Sequence, residues 1–214
     1  MKLLAADTAL GACSVSIMDG DAVLAHRLVA MERGHAEALA PMVEDAMREA
    51  ALPFAALDRL AVTTGPGTFT GQRVGLAFMR GLRVALGKPL TGVTTLSAMA
   101  AAAMAETGAA SAAVLHDARR EEVYLEIVGT APVGPVILSF DEAVDVIAAH
   151  ADIVALAGTA APAARERLPH TILSGIRQPD ALWVARLAAR LPATDTAPKP
   201  LYLRAPDAKL PAAK

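Results

Sequence analysis

Thr63-Thr-Gly-Pro-Gly-Thr-Phe-Thr-Gly-Gln-Arg-Val-Gly-Leu76 joins a glycine-rich turn to a long helix. Gly65 and Gly67 permit backbone geometry that a side chain forbids, and Thr68 or Thr70 can cap the helix that follows. Such a turn has two readings: its amides cradle a phosphate, or they only end a strand-to-helix connection. The spacing is not the Walker pattern, because no Lys follows Gly71. Gly158-Thr159, after the apolar run Ile153 to Ala157, is a second junction of this kind, open to an adenine or phosphate or to a plain tight turn.

Upstream of the turn, Leu3 to Ala6 reads as a short strand and Cys13 to Met18 alternates. Asp19-Gly20 is a hairpin turn, and Ala22 to Ala30 returns. Gly34 to Ala50 has helical spacing, with Leu39, Met42, Val43, Ala46, Met47 and Ala50 against Glu44, Asp45, Arg48 and Glu49. Pro41 either marks its first turn or kinks it. Leu60 to Thr64 is a buried strand, and the helix from about Thr70 to Leu86 is closed by Gly87. Gly71, Gly75, Ala77 and Met79 leave flanks small enough for a second helix to approach. Leu90 to Val93 then reads as a strand and Thr95 to Glu106 as an alanine-rich helix.

A second unit opens near Ala112 and repeats the opening device. Val114 to Asp117 is strand-like, Ala118 to Glu122 is polar, and Val123 to Val128 alternates. Asp7 precedes Cys13 by six positions, Asp117 precedes Val123 by six, and the two aspartates lie 110 apart (117 − 7). Pro179 to Leu191 is an amphipathic helix and Pro192 to Pro200 a proline-rich surface tether. The divisions are a first lobe at 1–108, a smaller one at 109–178, and at 179–214 a helix and tail, the helix packing back on the first lobe.

With 54% hydrophobic residues but 3% aromatic, alanine, leucine and valine must pack by close approach. A net charge of −2 gives no electrostatic footprint for nucleic acid, so autonomous RNA binding is not expected. Cys13 is the only cysteine, which excludes an intrachain disulfide and a thiolate zinc site. An acid at position 7 interrupts any signal-peptide core, and no apolar run reaches the ~18 residues of a membrane span, so a cytoplasmic protein is expected. The five histidines are dispersed, with no i,i+4 pair to converge on a metal, and no Gly-x-Ser-x-Gly elbow marks a nucleophile. Asp7, beside Thr8, either holds a hydrated magnesium near a nucleotide or bonds the backbone amides that follow it. His116, Asp117, Arg119 and Arg120 form a polar cluster or a solvated turn, and the methionines at 31, 42, 47, 79, 99 and 104 suit an adaptable partner surface.

Both Asp-bearing hairpins, the run from Thr64 to Gly75, Gly87-Lys-Pro-Leu-Thr-Gly-Val-Thr-Thr-Leu96, Asp117-Ala-Arg-Arg-Glu-Glu-Val-Tyr124 and Pro200-Leu-Tyr-Leu-Arg204 together resemble the TsaB (YeaZ) family over nearly the whole chain. The resemblance implies an α/β, actin-like, Hsp70-type (ASKHA) fold of two related lobes with mixed sheets flanked by helices. It also implies a non-catalytic role in forming N6-threonylcarbamoyladenosine at position 37 of tRNAs that read codons beginning with A. The sister subunit TsaD carries a His-Leu-Glu-Gly-His metal motif where this chain has Thr95-Leu-Ser-Ala-Met99, and neither Thr95 nor Met99 replaces a histidine on a divalent metal. The expected partners are therefore TsaD in a heterodimer, TsaE, the adenylate-forming TsaC, tRNA through the complex, and a second copy when isolated. ATP and a divalent metal belong to the partner subunits, with no cofactor of the chain's own. The expected partner face is on the first two long helices: Leu39, Met42, Val43, Met47, Gly71, Gly75 and Met79. Asp7, Thr8, Gly65, Gly67, Thr68, Gly158 and Thr159 are expected as vestigial nucleotide or phosphate loops. The rival readings are a stand-alone actin-like ATPase or sugar-kinase relative using those loops, and a glycoprotease-like peptidase, which would need the missing metal ligands.

Overall fold

A computed structural model describes residues 1–150 and 154–204, where the chain makes the same succession of elements twice. The first pass runs β1 (Lys2–Asp7), β2 (Ala12–Asp19), β3 (Ala22–Ala30), α1 (His35–Glu49), β4 (Arg59–Thr63), α2 (Phe69–Leu86), β5 (Leu90–Val93) and α3 (Thr95–Thr107). The second runs β6 (Ser111–Asp117), β7 (Glu122–Val128), β8 (Val133–Ser139), α4 (Phe140–Ala148), β9 (Val154–Ala157), α5 (Ala161–Arg167), β10 (Ile172–Leu173) and α6 (Ala181–Arg190). The sheets follow one plan, β3-β2-β1-β4-β5 and β8-β7-β6-β9-β10. In each lobe the first strand pairs antiparallel with the second and parallel with the fourth, which leaves Asp7 and Asp117 at equivalent strand ends. This is the duplicated actin-like fold.

Local chemistry sets the boundaries. Thr68 caps α2 by accepting from Gly71 N at 3.1 Å, and Gly87 closes it in the left-handed conformation. Thr94 caps α3, Ser139 and Glu142 form a capping box on α4, and Asp180 caps α6. Pro41 lies inside α1, beyond its first turn and on an exposed position.

Each sheet is covered on both faces. Leu39, Val43 and Met47 of α1 and Leu76 and Met79 of α2 pack on Leu4, Val15, Ile17, Leu60 and Val62. The opposite face of that sheet, Leu3, Ala5 and Ala61, receives Ala181, Val184, Ala185 and Ala188 of α6. Helices α4 and α5 cover one face of the second sheet. The other face, Ala112, Val114, Ala155 and Ala157, meets Leu96, Met99, Ala100 and Ala103 of α3. So the last helix of each pass crosses to the other pass's sheet, and α3 touches α6 between the lobes. Apolar on every side, α3 has the composition a helix enclosed between two layers requires.

Two features depart from the sequence reading. No element was expected between Val128 and Ile153, yet β8 and α4 fill most of it; Ile153 lies outside the described residues. The tail is docked as a strap along α2 instead of lying free. Arg80 Nε donates to Pro198 O at 3.2 Å, Arg83 to Asp195 O at 2.5 Å and Leu201 N to Thr64 O at 2.7 Å. Arg73 Nε donates to the Tyr202 hydroxyl at 2.9 Å, and Arg204 pairs with Glu122 of the second lobe.

Candidate functional site: interlobe cleft and helix face

Asp7 is fully buried. Its Oδ1 accepts from Thr63 Oγ1 at 2.5 Å and from Ala9 N at 3.2 Å, while Oδ2 has no partner. Burial, opposed by those hydrogen bonds and aided by the Asp180 charge, pushes the carboxyl up to about 7. The two readings of Asp7 differ at Oδ2, which a structural aspartate leaves unpartnered and an ion ligand would use. Thr8 is also turned inward, its hydroxyl donating to Gly71 O at 2.7 Å.

The glycine-rich turn is wedged against the end of β1. Thr68 N donates to Ala9 O at 2.8 Å, and a Cβ on Gly67 or Gly71 would fall inside contact distance of the Ala9 or Thr8 carbonyl oxygen. Behind Gly65 lies the buried Gln72 side chain, whose Nε2 donates to Gly67 O at 2.9 Å. On this side the turn packs against the chain's own backbone, while its other side borders the interlobe cavities. The second junction repeats the device: Gly158, at φ +99°, would drive a Cβ into the Leu115 carbonyl, and its amide donates to Ile176 O at 2.9 Å. Thr159 Oγ1 accepts from Asp117 N at 2.9 Å. In both loops the glycine is needed for close backbone approach, as a strand-to-helix connection requires.

Between the lobes a cavity of about 640 Å³ is lined by Arg33, His35, Glu37, His116, Asp117, Arg119 and Gln178. Gln178 Oε1 bridges the lobes by accepting from Gly11 N at 2.8 Å. Burial lowers His116 to about 4, against a raising effect of Asp117, which keeps the imidazole neutral at pH 7. The polar cluster expected at His116, Asp117, Arg119 and Arg120 is thus buried at its first member and exposed at the other three.

The expected partner residues are corrected by burial. Leu39, Val43, Met47, Gly71, Gly75 and Met79 are all buried in the first lobe; only Met42 of the seven is partly open. The two helices turn their strongest apolar stripe onto the sheet, and that stripe is the one periodicity detects. A different face stays open: Ala38, Pro41 and Met42 on α1, with Val74, Ala77, Phe78, Gly81 and Val84 on α2. Val84 is 78% exposed, and a Cβ on Gly81 would meet nothing within 4 Å. Of this face, sequence reading offered Met42 and Ala77; Gly81 and Val84 escaped it because a glycine and a lone valine carry little hydrophobic signal. Thr95 and Met99 are buried too, Thr95 N donating to Gly65 O at 2.9 Å and Met99 sitting among Leu96, Ala100 and Ala112.

The family model described as TsaD: tRNA N6-adenosine threonylcarbamoyltransferase matches residues 28–194. The tRNA threonylcarbamoyladenosine biosynthesis protein TsaB of Escherichia coli (strain K12) is 38% identical over 124 residues, 58% of this chain and 53% of that protein. The chain spans about half the length of the curated TsaB relatives it matches. The solved structure of YeaZ from Pseudomonas aeruginosa is 29% identical with a TM-score of 0.78, covering 94% of this chain and 99% of that one. The ethanolamine utilization protein EutJ from Carboxydothermus hydrogenoformans shares the fold at 11% identity, with a TM-score of 0.55 over 86% and 89% of the two chains.

Proposed function

Because the chain belongs to the TsaB (YeaZ) family, we propose that it is a non-catalytic, activating subunit in the formation of N6-threonylcarbamoyladenosine at position 37 of tRNAs that read codons beginning with A. It pairs with TsaD through the open face of α1 and α2, and works alongside TsaE and TsaC in the cytoplasm. ATP and the divalent metal are held by those partners, and the isolated chain pairs with itself through the same face.

The observation that carries this reading is an open row of small and apolar side chains, Ala77, Gly81 and Val84 on α2, with Met42 also open on α1. Arg80 and Arg83 within that span are turned to the strap carbonyls of Pro198 and Asp195. Small residues let a partner helix approach closely, and a stable interface of about 800 Å² per partner is within reach of two helices of this length. The burial of Thr95 and Met99 supports the non-catalytic part, because at these positions the chain builds interlobe packing where TsaD is expected to have its metal motif.

Mixing the purified chain with TsaD should give a heterodimer by native mass, and adding TsaE, TsaC, ATP, threonine, bicarbonate and tRNA should restore modification that TsaD without this chain does not perform. Modification by the chain alone would reverse the assignment. The packed turns give a second expectation: nucleotide hydrolysis by the isolated chain should be indistinguishable from the buffer background, and Asp7→Asn should not change it. Turnover that vanishes in Asp7→Asn would favour the ATPase reading instead.

A further inference from the structure

Both tyrosines of this aromatic-poor chain, with Phe69, line one cavity of about 390 Å³ at the mouth of the interlobe cleft. Its base is the glycine-rich turn, its far wall the hairpin between β6 and β7, and its outer wall the strap at 201–204. Phe69 and Tyr202 stack with ring centroids 6.1 Å apart, yet remain 58% and 45% exposed. The Arg73 guanidinium lies 3.4 Å from the Phe69 centroid and holds the Tyr202 hydroxyl. Phe69 belongs to none of the buried clusters; its ring contacts are with Arg73 and with Tyr202 of the strap.

The opposite rim presents Arg119. Arg119, Arg120 and Glu121 all lie in the left-handed region, at φ 64°, 59° and 62°. Non-glycine residues in that region cost about 1–3 kcal/mol each and concentrate where a side chain must be aimed. The exposed Arg119 side chain makes no ion pair among the described residues, whereas Arg204 is neutralised by Glu122. Arg73 covers Phe69, so the ring open to the cavity is Tyr202, and Asp117 and Arg119 line the same space. An exposed ring with a guanidinium nearby is how proteins take unpaired bases, the ring stacking and the cation meeting a phosphate.

We propose that this pocket receives one unpaired base of an RNA loop, stacked on Tyr202 of the Phe69–Tyr202 pair, with Arg119 facing a flanking phosphate. The choice of RNA rests on the reading of the previous subsection; the stack and the cation are independent of it. The net charge of −2 gives little long-range attraction, so the contact is short-ranged and weak, and its detection with the chain alone at low salt would revise the expectation of no autonomous RNA binding.

The test is fluorescence anisotropy at low salt with the full chain and a labelled stem-loop RNA, competed by a fully paired duplex or by AMP. The stem-loop should bind and the duplex should compete poorly. Tyr202→Ala and Phe69→Ala should each weaken binding about tenfold or more, with Tyr202→Phe near wild type, because stacking is worth about 1–3 kcal/mol per base. No binding of the stem-loop, equal competition by duplex, or competition by AMP as strong as by the loop would each overturn the proposal. Association of the same variants with TsaD separates the alternatives. Loss of TsaD binding with RNA binding intact in Tyr202→Ala would make the pocket a protein contact, which also overturns it. Failure of the wild-type chain to bind TsaD, with loop binding retained, would leave this pocket standing and remove the pathway reading.

Discussion

Gly81→Arg should abolish association with TsaD while leaving the fold intact, whereas Gly75→Arg, two turns earlier on the same helix, should unfold the first lobe. At Gly81 an added Cβ meets no atom within 4 Å, and the position faces solvent. Replacing a helical glycine there gains about 0.5–1 kcal/mol of helix propensity, so the melting temperature should hold or rise. A guanidinium in the middle of an apolar helix face leaves a buried charge unpaired on association, which costs about 2–4 kcal/mol or more and weakens binding by roughly two orders of magnitude. At Gly75 the same Cβ would stand 2.7 Å from Thr8 Oγ1 and 3.5 Å from a Val62 methyl, inside the buried contact of α2 with β4 and the Thr8 loop. Thermal unfolding by circular dichroism and co-elution with TsaD read the two outcomes separately. Wild-type affinity in Gly81→Arg would dismiss the proposed face, and a stable Gly75→Arg would contradict the packing.

That contrast marks what could be read from the chain and what could not. The fold was legible because Asp7 and Asp117 each end a strand five positions before a returning one, and the two glycine junctions each follow the fourth strand of a pass. Helix faces were less legible. In α1 periodicity finds the stripe that belongs to the sheet, whereas in α2 the buried face is Gly71, Gly75, Leu76 and Met79 and the open row is built from Ala77, Gly81 and Val84. The glycines of the turn were visible but their purpose was not, since the atoms they avoid, the carbonyls of Thr8 and Ala9, come from nearly sixty residues away. Strand β8 was hidden because Gly134 and Pro135 break the alternation, and both are tolerated there because the strand lies at the sheet's edge. The strap follows a proline-rich segment that reads as an extended spacer; what docks it is a row of arginines on α2, at 73, 80 and 83.

Asp7→Asn should stabilise the protein at alkaline pH and lose that advantage as the pH falls. The folded carboxyl holds its proton up to about 7, whereas the unfolded one releases it near 3.8, so between these values the native state binds more protons. Stability therefore falls as pH rises from about 4 through 7, and above that range the wild type carries the full penalty of a buried, ionised carboxylate. Taken at 1.36 kcal/mol per pH unit, the gap corresponds to on the order of 4 kcal/mol. Asparagine cannot ionise, and its carbonyl oxygen still accepts from Thr63 Oγ1 and Ala9 N, the two bonds that Oδ1 makes now. Melting temperatures of the two proteins, followed from pH 4 to pH 8.5, should coincide at the acid end and diverge towards the alkaline end with the variant higher. A constant offset across that range would show that Asp7 is not titrating inside the fold. Magnesium distinguishes the rival role, because an aspartate serving as an ion ligand would make wild-type stability rise with added Mg²⁺ by mass action. The enclosure of Asp7 behind Thr63 and Ala9 leads us to expect no such rise, and the Asn variant should bind TsaD as the wild type does.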